Sequence, residues 1–242
     1  MRGSVHSFDV STGVDGPGTR FVAFLAGCPL RCLYCHSPDT WYRRSGTPTT
    51  AGELMAEIRR YERFIKVAGG GVTISGGEPL QQPAFVRDVL RRCKEIGLHT
   101  AVDTSGYLGD RAGDDLLDAT DLVLLDIKSG DPSTYRTVTR TGRLAPTIAF
   151  AHRLAERGKP IWVRFVLVPG LTDAVENVDA VAGIAASVPT VQRVEVLPFH
   201  RLGAVKYDAL GLGFPLAGTP APDQDLIDRV RRQFRGYGLC VF

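Results

Sequence analysis

The strongest constraint on the fold of this chain is the regular alternation of short apolar segments with amphipathic ones. Runs of β-branched and aliphatic residues, typical of strands buried on both faces, occupy residues 20–27, 71–75, 99–104, 122–127, 161–168 and 193–199. Helical periodicities cover residues 50–65, 84–96, 146–157, 177–186 and 223–234. Strands that alternate with helices pair in parallel, and the helices cover the sheet. The pattern therefore predicts an α/β fold.

The length of the chain limits the possible α/β architectures. The chain has 242 residues, and a closed barrel of eight strand–helix units typically needs roughly 250 residues. About six units fit an open doubly wound sheet or an incomplete (β/α)6 barrel of parallel strands with helices outside. We expect a single domain over residues 1–242, with a surface loop over residues 203–222, which are rich in Gly, Pro and Ala. In both architectures ligands bind at the carboxyl ends of the strands.

Composition excludes several classes of protein. Apolar residues make up 44% and charged residues 23% of the chain, as in ordinary soluble domains. A net charge of +3 indicates neither a nucleic-acid nor a membrane surface. The amino-terminal residues lack the apolar stretch of a signal peptide, and no apolar run is long enough to span a membrane. We therefore expect a cytoplasmic protein.

The cysteines point to a metal cluster rather than to disulfides. Three of the five cysteines, Cys28, Cys32 and Cys35, lie in C-x-x-x-C-x-x-C spacing directly after the first predicted strand. Three neighbouring thiolates can hold three irons of a 4Fe-4S cluster, which leaves the fourth iron open for another ligand. Cys93 and Cys240 lie far from this loop, and we expect both to be buried small hydrophobic residues without a role.

Three other interpretations of the cysteine loop remain open at this point. Zinc could use the cysteines with His36, although Cys35 and His36 are adjacent, below the usual ligand spacing. Residues 32–36 also match the C-x-x-C-H haem-attachment pattern, which leaves Cys28 unexplained. The cysteines could finally be unliganded core residues, which fits poorly with a loop after Gly27 and Pro29.

Further motifs carry a family resemblance. The cysteine loop with an aromatic before its last cysteine, and S-G-G-E over residues 75–78, resemble the two motifs of the radical SAM superfamily. The resemblance sharpens in V-D-G-P-G-T-R-F (14–21), V-D-T-S-G (102–106), L-D-I-K (125–128), V-P-G (168–170) and L-P-F-H (197–200). Together these motifs are similar to the activating enzymes of glycyl-radical enzymes. Residues 36–71 contain no cysteine, which resembles the compact pyruvate formate-lyase activases rather than relatives with a ferredoxin-like insert.

The resemblance implies roles for individual residues. Cys28, Cys32 and Cys35 would bind the cluster, and the backbone at Gly76 and Gly77 would receive the amine of S-adenosylmethionine. Other residues implied to bind this cofactor are Tyr34, Cys35, His36, Glu78, Asp103, Thr104, Asp126, Ile127, Lys128 and His200. A monovalent cation is implied near Asp103, Thr104 and Asp126. Asp15 and Arg164 are implied to contact the substrate.

Each of these residues also has a plain structural interpretation. Gly76 and Gly77 could simply form a tight turn, and Tyr34 could be a surface aromatic. Asp103 and Asp126 end apolar strands, where a carboxylate needs a partner. Lys128 could supply it to Asp126 as an ion pair, because residues two apart on a strand share a face. His200 could be an exposed loop histidine.

The resemblance implies a complete reaction. The enzyme would cleave S-adenosylmethionine reductively and abstract hydrogen from a glycine of pyruvate formate-lyase or a similar enzyme. Flavodoxin or ferredoxin would donate the electron, and the protein would act as a monomer. Two alternatives remain: a radical SAM enzyme acting on a small molecule, and a metal-binding module without catalysis.

Overall fold

The computed structural model describes all residues from Met1 to Phe242 and groups them into two compact units. The first unit comprises residues 1–28, 40–104 and 108–124. The second unit comprises residues 29–39, 105–107 and 125–242. The expectation of a single domain over residues 1–242 stays a prediction. None of the helices combines the length and the apolar character that a membrane-spanning helix needs.

The first unit is a sheet with three helices. Its strands are β1 (Arg2–Thr12), β2 (Thr19–Leu25), β3 (Thr47–Thr50), β4 (Gly71–Gly76), β5 (His99–Thr104) and the beginning of β6 (Leu122–Asp126). They lie in the order β3-β1-β2-β4-β5-β6. β2, β4 and β5 pair in parallel, whereas β1 pairs antiparallel with both β2 and β3. The helices are α1 (Ala51–Val67), α2 (Pro83–Glu95) and α3 (Asp114–Asp118).

The second unit contains the end of β6 and two further parallel strands. β7 spans Ile161–Leu167 and β8 spans Val191–Pro198. The amide of Ile127, next to the end of β6, donates to the Arg164 carbonyl of β7. The helices are α4 (Pro132–Thr139), α5 (Leu144–Glu156), α6 (Val175–Ala186), α7 (Ala204–Ala209) and α8 (Gln224–Gly236). The last residues of the chain pair with β8, and Val241 bridges to Val194.

All predicted strands and helices are present, with ends shifted by a few residues. The start of α1 is confirmed in detail, because the Thr50 side chain accepts from the Glu53 amide while Glu53 accepts from the Thr50 amide. The sequence pattern does not predict β1 and β3, because both contain few apolar residues. β3 is the edge strand of the sheet, and β1 lies next to it. The loop predicted over residues 203–222 is partly wrong, since it contains α7, which Tyr207 anchors in the core.

Candidate functional site

In the first unit, a glycine turn follows β4 and lies against the end of β2. The Gly77 amide donates to the Leu25 carbonyl and the Glu78 amide to the Gly27 carbonyl, each at 2.8 Å. A β-carbon on Gly77 would lie 2.4 Å from the Gly27 oxygen. Gly76 has a φ of +115°, which disfavours other residues. The two glycines therefore make a tight turn against the end of β2, and both are partly exposed at the carboxyl end of β4.

Two side-chain hydrogen bonds join this turn to the end of β5. The Ser75 hydroxyl donates to Asp103 Oδ2 at 2.6 Å, and the Thr104 hydroxyl donates to Glu78 Oε1 at 2.6 Å. Glu78 is only 1% exposed and also accepts from the Leu80 amide. The predicted residues of the first unit at Gly76, Gly77, Glu78, Asp103 and Thr104 thus lie together.

Two other predicted residues of the first unit lie elsewhere. Cys28 follows the end of β2, where its amide donates to the Trp41 carbonyl at 3.0 Å. Asp15 lies in the turn between β1 and β2, at the amino end of β2. Its side chain accepts from the Ser11 hydroxyl, and its carbonyl accepts from Thr73. Asp15 is therefore at the opposite end of the strands from the glycine turn.

In the second unit, the cysteine loop packs on the end of α4. The amide of Arg31 donates to the Thr139 carbonyl and that of Leu33 to the Val138 carbonyl, both at 2.9 Å. Cys32 and Cys35 are both half-buried in this loop. Burial raises the pKa of the Cys32 thiol to about 12, so binding to a metal has to displace its proton.

Tyr34 is buried beside this loop, so the interpretation as a surface aromatic is wrong. The residue is 8% exposed and packs with Val138, Val168 and Phe199. Burial, above all, raises the pKa of its phenol well above the ordinary value. Its hydroxyl has no hydrogen-bond partner within the protein. A buried phenol without a partner is costly, and a bound polar ligand would satisfy it.

Lys128 and Asp126 form the ion pair that their spacing predicts. Lys128 Nζ lies 2.7 Å from Asp126 Oδ2 and 5.7 Å from the centre of the Tyr34 ring. Burial disfavours the charged lysine, yet nearby acidic groups raise the Lys128 pKa well above its ordinary value. Because Tyr34 and Cys32 are themselves protonated at neutral pH, the Asp126 carboxylate is the partner that keeps Lys128 charged.

The structure brings His36 and His200 together. The two residues lie on the exposed surface, and His36 Nε2 is 3.1 Å from His200 Nδ1. One ring must donate and the other accept, so the pair favours at least one neutral histidine. Partial burial, with His200 and Lys206 nearby, lowers the pKa of His36. Gly203 packs against the same segment. A β-carbon at this position would lie only 3.2 Å from the Cys35 carbonyl oxygen.

Arg164 lies on β7 and is paired with a carboxylate that the sequence did not single out. Its Nε is 3.3 Å from Glu195 Oε2, and both side chains are buried. Arg193 also pairs with Glu195. Ile127 is buried, and its amide bonds to Arg164, which places Asp126 and Arg164 side by side on neighbouring strands.

Other site residues also escaped sequence reasoning. Tyr207 lies in the core close to Cys32 and Cys35, and its only sequence signal is an aromatic shortly after His200. Ser75 was noted only as part of a motif, although it bonds Asp103. Cys93 is buried as expected, but the expectation for Cys240 is wrong. Cys240 is exposed because neighbouring residues of an extended segment face opposite sides, and Val241 is the one that is buried.

Three cysteine thiols are a donor set that an iron–sulfur cluster can use. Thiolates of a cubane cluster bind different irons and do not have to converge on one point. In the structure, no three His, Cys, Asp or Glu side chains converge on a single metal-ion position. The sequence profile of the radical SAM superfamily matches residues 22–180.

The chain belongs to the radical SAM superfamily. Membership implies a 4Fe-4S cluster and S-adenosylmethionine. Two relatives illustrate the similarity along the chain. The pyruvate formate-lyase-activating enzyme of Clostridium pasteurianum is 44% identical over 225 residues, which cover 93% of this chain and 94% of the relative. The pyruvate formate-lyase 1-activating enzyme of Escherichia coli K12 is 39% identical and covers 99% and 98%.

Solved structures of radical SAM proteins share the fold. A crystal structure of a domain of the pyruvate formate-lyase-activating enzyme of Bacteroides vulgatus matches with a TM-score of 0.60 and 27% identity, covering 72% of this chain and 98% of that one. A radical SAM methyltransferase from Sphaerobacter thermophilus matches in fold with a TM-score of 0.67 at 19% identity, covering 96% and 71%. The incomplete barrel of parallel strands with outer helices is thus confirmed over the doubly wound alternative.

Proposed function

We propose that this radical SAM protein generates a glycyl radical on a separate enzyme, pyruvate formate-lyase or a similar one. The observation that carries the proposal is the similarity of 39–44% over nearly the whole length of enzymes named for this activation. When bound, the cluster would pass one electron from an external donor to S-adenosylmethionine, and this would supply the radical chemistry needed to remove hydrogen from a glycine. The chain itself binds, orients and shields the reactants.

Cys28, Cys32 and Cys35 are the proposed cluster ligands. Three thiols of one loop leave one iron of a cubane without a protein ligand, so that S-adenosylmethionine can bind there. The loop is supported by hydrogen bonds from its backbone to the Val138 and Thr139 carbonyls. These bonds fix the backbone on both sides of Cys32.

The carboxyl ends of β4 to β6 are the proposed site for the methionyl part of S-adenosylmethionine. The backbone around Gly76 and Gly77 would receive the amine. The space that a side chain would take at these two glycines is occupied by the backbone of Leu25 and Gly27, so glycine is needed for the turn itself. Lys128 would meet the carboxylate of the ligand. Asp103, Thr104 and Asp126 carry the oxygens that a monovalent cation would require, and such a cation near Ile127 and these residues is part of the proposal. Glu78 would contribute indirectly by supporting the turn, because its carboxylate accepts hydrogen bonds from the Thr104 hydroxyl and the Leu80 amide.

Three rings are proposed to order the nucleoside. The buried Tyr34 hydroxyl, which lacks a partner within the protein, fits a polar group of a ligand beside Lys128. His36 and His200 form an exposed pair that can present one donor and one acceptor to the sugar or the base. Arg164, held by Glu195, and Asp15, held by Ser11, are the proposed contacts to the protein substrate.

The remaining proposals concern the surroundings of the reaction. The electron would come from flavodoxin or ferredoxin, and the protein would work as a monomer in the cytoplasm, where reducing conditions keep the thiols available for iron. No nucleic acid or membrane takes part in this proposal.

The test is anaerobic reconstitution followed by three separate measurements. The protein should gain iron–sulfur absorbance, release 5′-deoxyadenosine on reduction, and produce a glycyl signal by electron paramagnetic resonance when pyruvate formate-lyase is added. Cys32→Ala should abolish all three, whereas Cys240→Ala should keep them, because Cys240 is exposed and far along the chain. Cleavage without a glycyl signal on any glycyl-radical enzyme would contradict the substrate and favour a small molecule.

A further inference from the structure

The side chain of Asn177, in the first turn of α6, bonds to the loop that follows β6. Its Oδ1 accepts from the Ser129 hydroxyl at 2.6 Å, from the Gly130 amide at 3.0 Å and from the Asp131 amide at 3.3 Å. Asn177 is 4% exposed, and Ser129 is fully buried. Asparagine is a poor helix former. Here its amide satisfies polar groups of another segment rather than of its own helix.

The other end of the same amide holds the loop that follows β7. Asn177 Nδ2 donates to the Thr172 carbonyl at 2.7 Å. Thr172 is itself buried, and its hydroxyl accepts from the Val168 amide and donates to the Val166 carbonyl, each at 2.8 Å. Donors face the oxygen of the Asn177 amide and an acceptor faces its nitrogen, so both ends of the group are used. One side chain therefore joins the loops after β6 and β7.

Lys128 lies between two residues that these contacts fix. Before it, the Ile127 amide donates to a β7 carbonyl at 3.1 Å. After it, Ser129 is bonded to Asn177. The backbone is therefore held on both sides of Lys128, which gives its side chain a defined starting point. Without the Asn177 amide, the Ser129 side would lose its bond to α6.

The loop after β6 is packed on α6 and leads into α4. A β-carbon added to Gly130 would be 2.4 Å from a backbone nitrogen of α6. Asp131 caps the start of α4, because its side chain accepts from the amide three residues further on at 2.7 Å. The far end of α4 carries the carbonyls that support the cysteine loop. The segment held by Asn177 thus connects Lys128 to the helix on which the cysteine loop rests.

Both loops lead to the surroundings of Tyr34. Tyr34 packs with Val168, whose amide bonds to the Thr172 hydroxyl in the loop after β7. Lys128 Nζ, next to the loop after β6, is 5.7 Å from the centre of the Tyr34 ring. The hydrogen bonds of Asn177 go to the loops and not to Tyr34 or Lys128 themselves. Any effect of Asn177 on these two side chains is therefore indirect.

We propose that Asn177 is a positioning residue for S-adenosylmethionine, because it fixes the loop that carries Lys128 and couples this loop to the one after β7. The inference rests on the proposed function, in which Lys128 meets the carboxylate of the ligand. Residues that orient ligand contacts affect affinity even though they do not touch the ligand. Asn177 makes and breaks no covalent bond in this role.

A merely structural role for Asn177 predicts a different result. Loss of its amide would then lower the stability of the fold and leave the affinity for S-adenosylmethionine unchanged. Thr100→Val is the matched control for stability. Thr100 is fully buried near the amino end of β5, and its hydroxyl donates to the Ala119 carbonyl at 2.7 Å. This variant should have a lower thermal midpoint and the affinity of the wild type.

The experiment uses the cluster-loaded protein without oxygen. In Asn177→Ala, hydrogen exchange of the backbone amides in residues 129–131, followed by mass spectrometry, should be faster than in the wild type. The dissociation constant of S-adenosylmethionine, measured by calorimetry, should rise roughly tenfold. With dithionite as the reductant, the KM for S-adenosylmethionine should rise with it, whereas kcat for release of 5′-deoxyadenosine should be unchanged.

Ser129→Ala is a milder variant that decides the question if Asn177→Ala folds poorly. It removes one hydroxyl from the contact with Asn177 and should raise the dissociation constant roughly fivefold, as the loss of one buried hydrogen bond does. Wild-type affinity in both variants would overturn the inference. An affinity of Thr100→Val that falls as far as that of Asn177→Ala would also overturn it, because loss of stability alone would then explain the effect.

A double-mutant cycle with Lys128→Met tests whether Asn177 acts through Lys128. In the Lys128→Met background, Asn177→Ala should raise the dissociation constant by less than it does in the wild type, because the side chain that it positions is already gone. Fully additive losses would contradict the inference. Wild-type affinity in Lys128→Met would remove the proposed contact to the ligand and the inference with it.

The proposed function can fail separately. A wild type that binds and cleaves S-adenosylmethionine but gives no glycyl signal with any glycyl-radical enzyme would contradict the proposed function, while the role of Asn177 stands, since exchange and affinity are measured without a protein substrate. Conversely, Asn177→Ala and Ser129→Ala proteins with normal affinity, beside a wild type that gives the glycyl signal, would overturn the inference and leave the proposed function intact.

Discussion

The Thr104 hydroxyl donates a 2.6 Å hydrogen bond to Glu78 Oε1 and so joins the carboxyl end of β5 to the turn after β4. Glu78 is the acidic residue of the G-G-E motif, and it is buried. Its side chain therefore supports the glycine turn from within the first unit, and the backbone of the turn is what remains available for a ligand.

Thr104→Val should loosen the glycine turn. Valine keeps the shape of threonine but cannot donate to the buried Glu78 carboxylate, so we expect the free energy of unfolding to fall by about 1–3 kcal/mol. Affinity for S-adenosylmethionine should fall as well. Urea denaturation and equilibrium binding measure the two effects. Thr104→Ser retains the hydroxyl and should stay close to wild type. A valine variant as stable as the wild type would show that the bond is dispensable.

Gly77→Ala should be poorly tolerated. The added β-carbon would lie 2.4 Å from the Gly27 carbonyl oxygen, and backbone at the end of β2 cannot move as a flexible side chain can. Overpacking of this kind destabilises by about 1–3 kcal/mol. Gly213→Ala is the matched control, because a β-carbon there meets no atom within 4 Å. Equal thermal midpoints for both variants would contradict the close approach at Gly77.

Asp126→Asn should destabilise more than removal of the whole pair. The single change leaves Lys128 buried without its carboxylate 2.7 Å away, which costs about 3–5 kcal/mol for a fully buried pair and less for this partly buried one. Asp126→Asn with Lys128→Met removes the cation too and should recover part of the loss. Denaturation curves of the wild type, of these two variants and of Lys128→Met alone form a double-mutant cycle. Additive losses would mean that the two side chains do not depend on each other.

His99 should make stability depend on pH. Arg20 is buried and donates to His99 Nδ1 at 3.0 Å, and burial together with this cation lowers the pKa of His99 from 6.5. The unfolded chain then takes up the proton first, so the free energy of unfolding should decrease as pH falls from 6.5 towards the lower folded-state pKa.

Denaturation at a series of pH values checks this prediction. His99→Gln can still accept from Arg20 but does not titrate, so its stability should change less over the same range. His152→Gln, a change at an exposed histidine on α5, should retain the wild-type dependence. Identical pH profiles for wild type and His99→Gln would contradict the prediction.

Most helices and strands could be predicted from the sequence, because the local periodicity of apolar residues indicates which side chains are buried. The β4 to β8 strands and the capped start of α1 at Thr50 follow from that signal. β1 escaped it, since this mostly polar strand lies between β3 and β2 and depends on pairing with both rather than on the pattern of its own side chains. α7 escaped it because six residues are too few for a period, and the helix forms around the burial of Tyr207.

Some properties of the candidate site also follow from the sequence, and others only from the tertiary structure. The sequence by itself determined the α/β class, the three-cysteine loop and the residue types at the carboxyl ends of the strands, because spacing and alternation are properties of the chain. Only the tertiary structure decided that Glu78 accepts a hydrogen bond from Thr104 and that Tyr34 is buried. It also decided that Arg164 pairs with Glu195 and that Asp15 lies at the amino end of β2, away from the glycine turn. These relationships join residues far apart in the chain, and packing and hydrogen bonding, which act through space, set them.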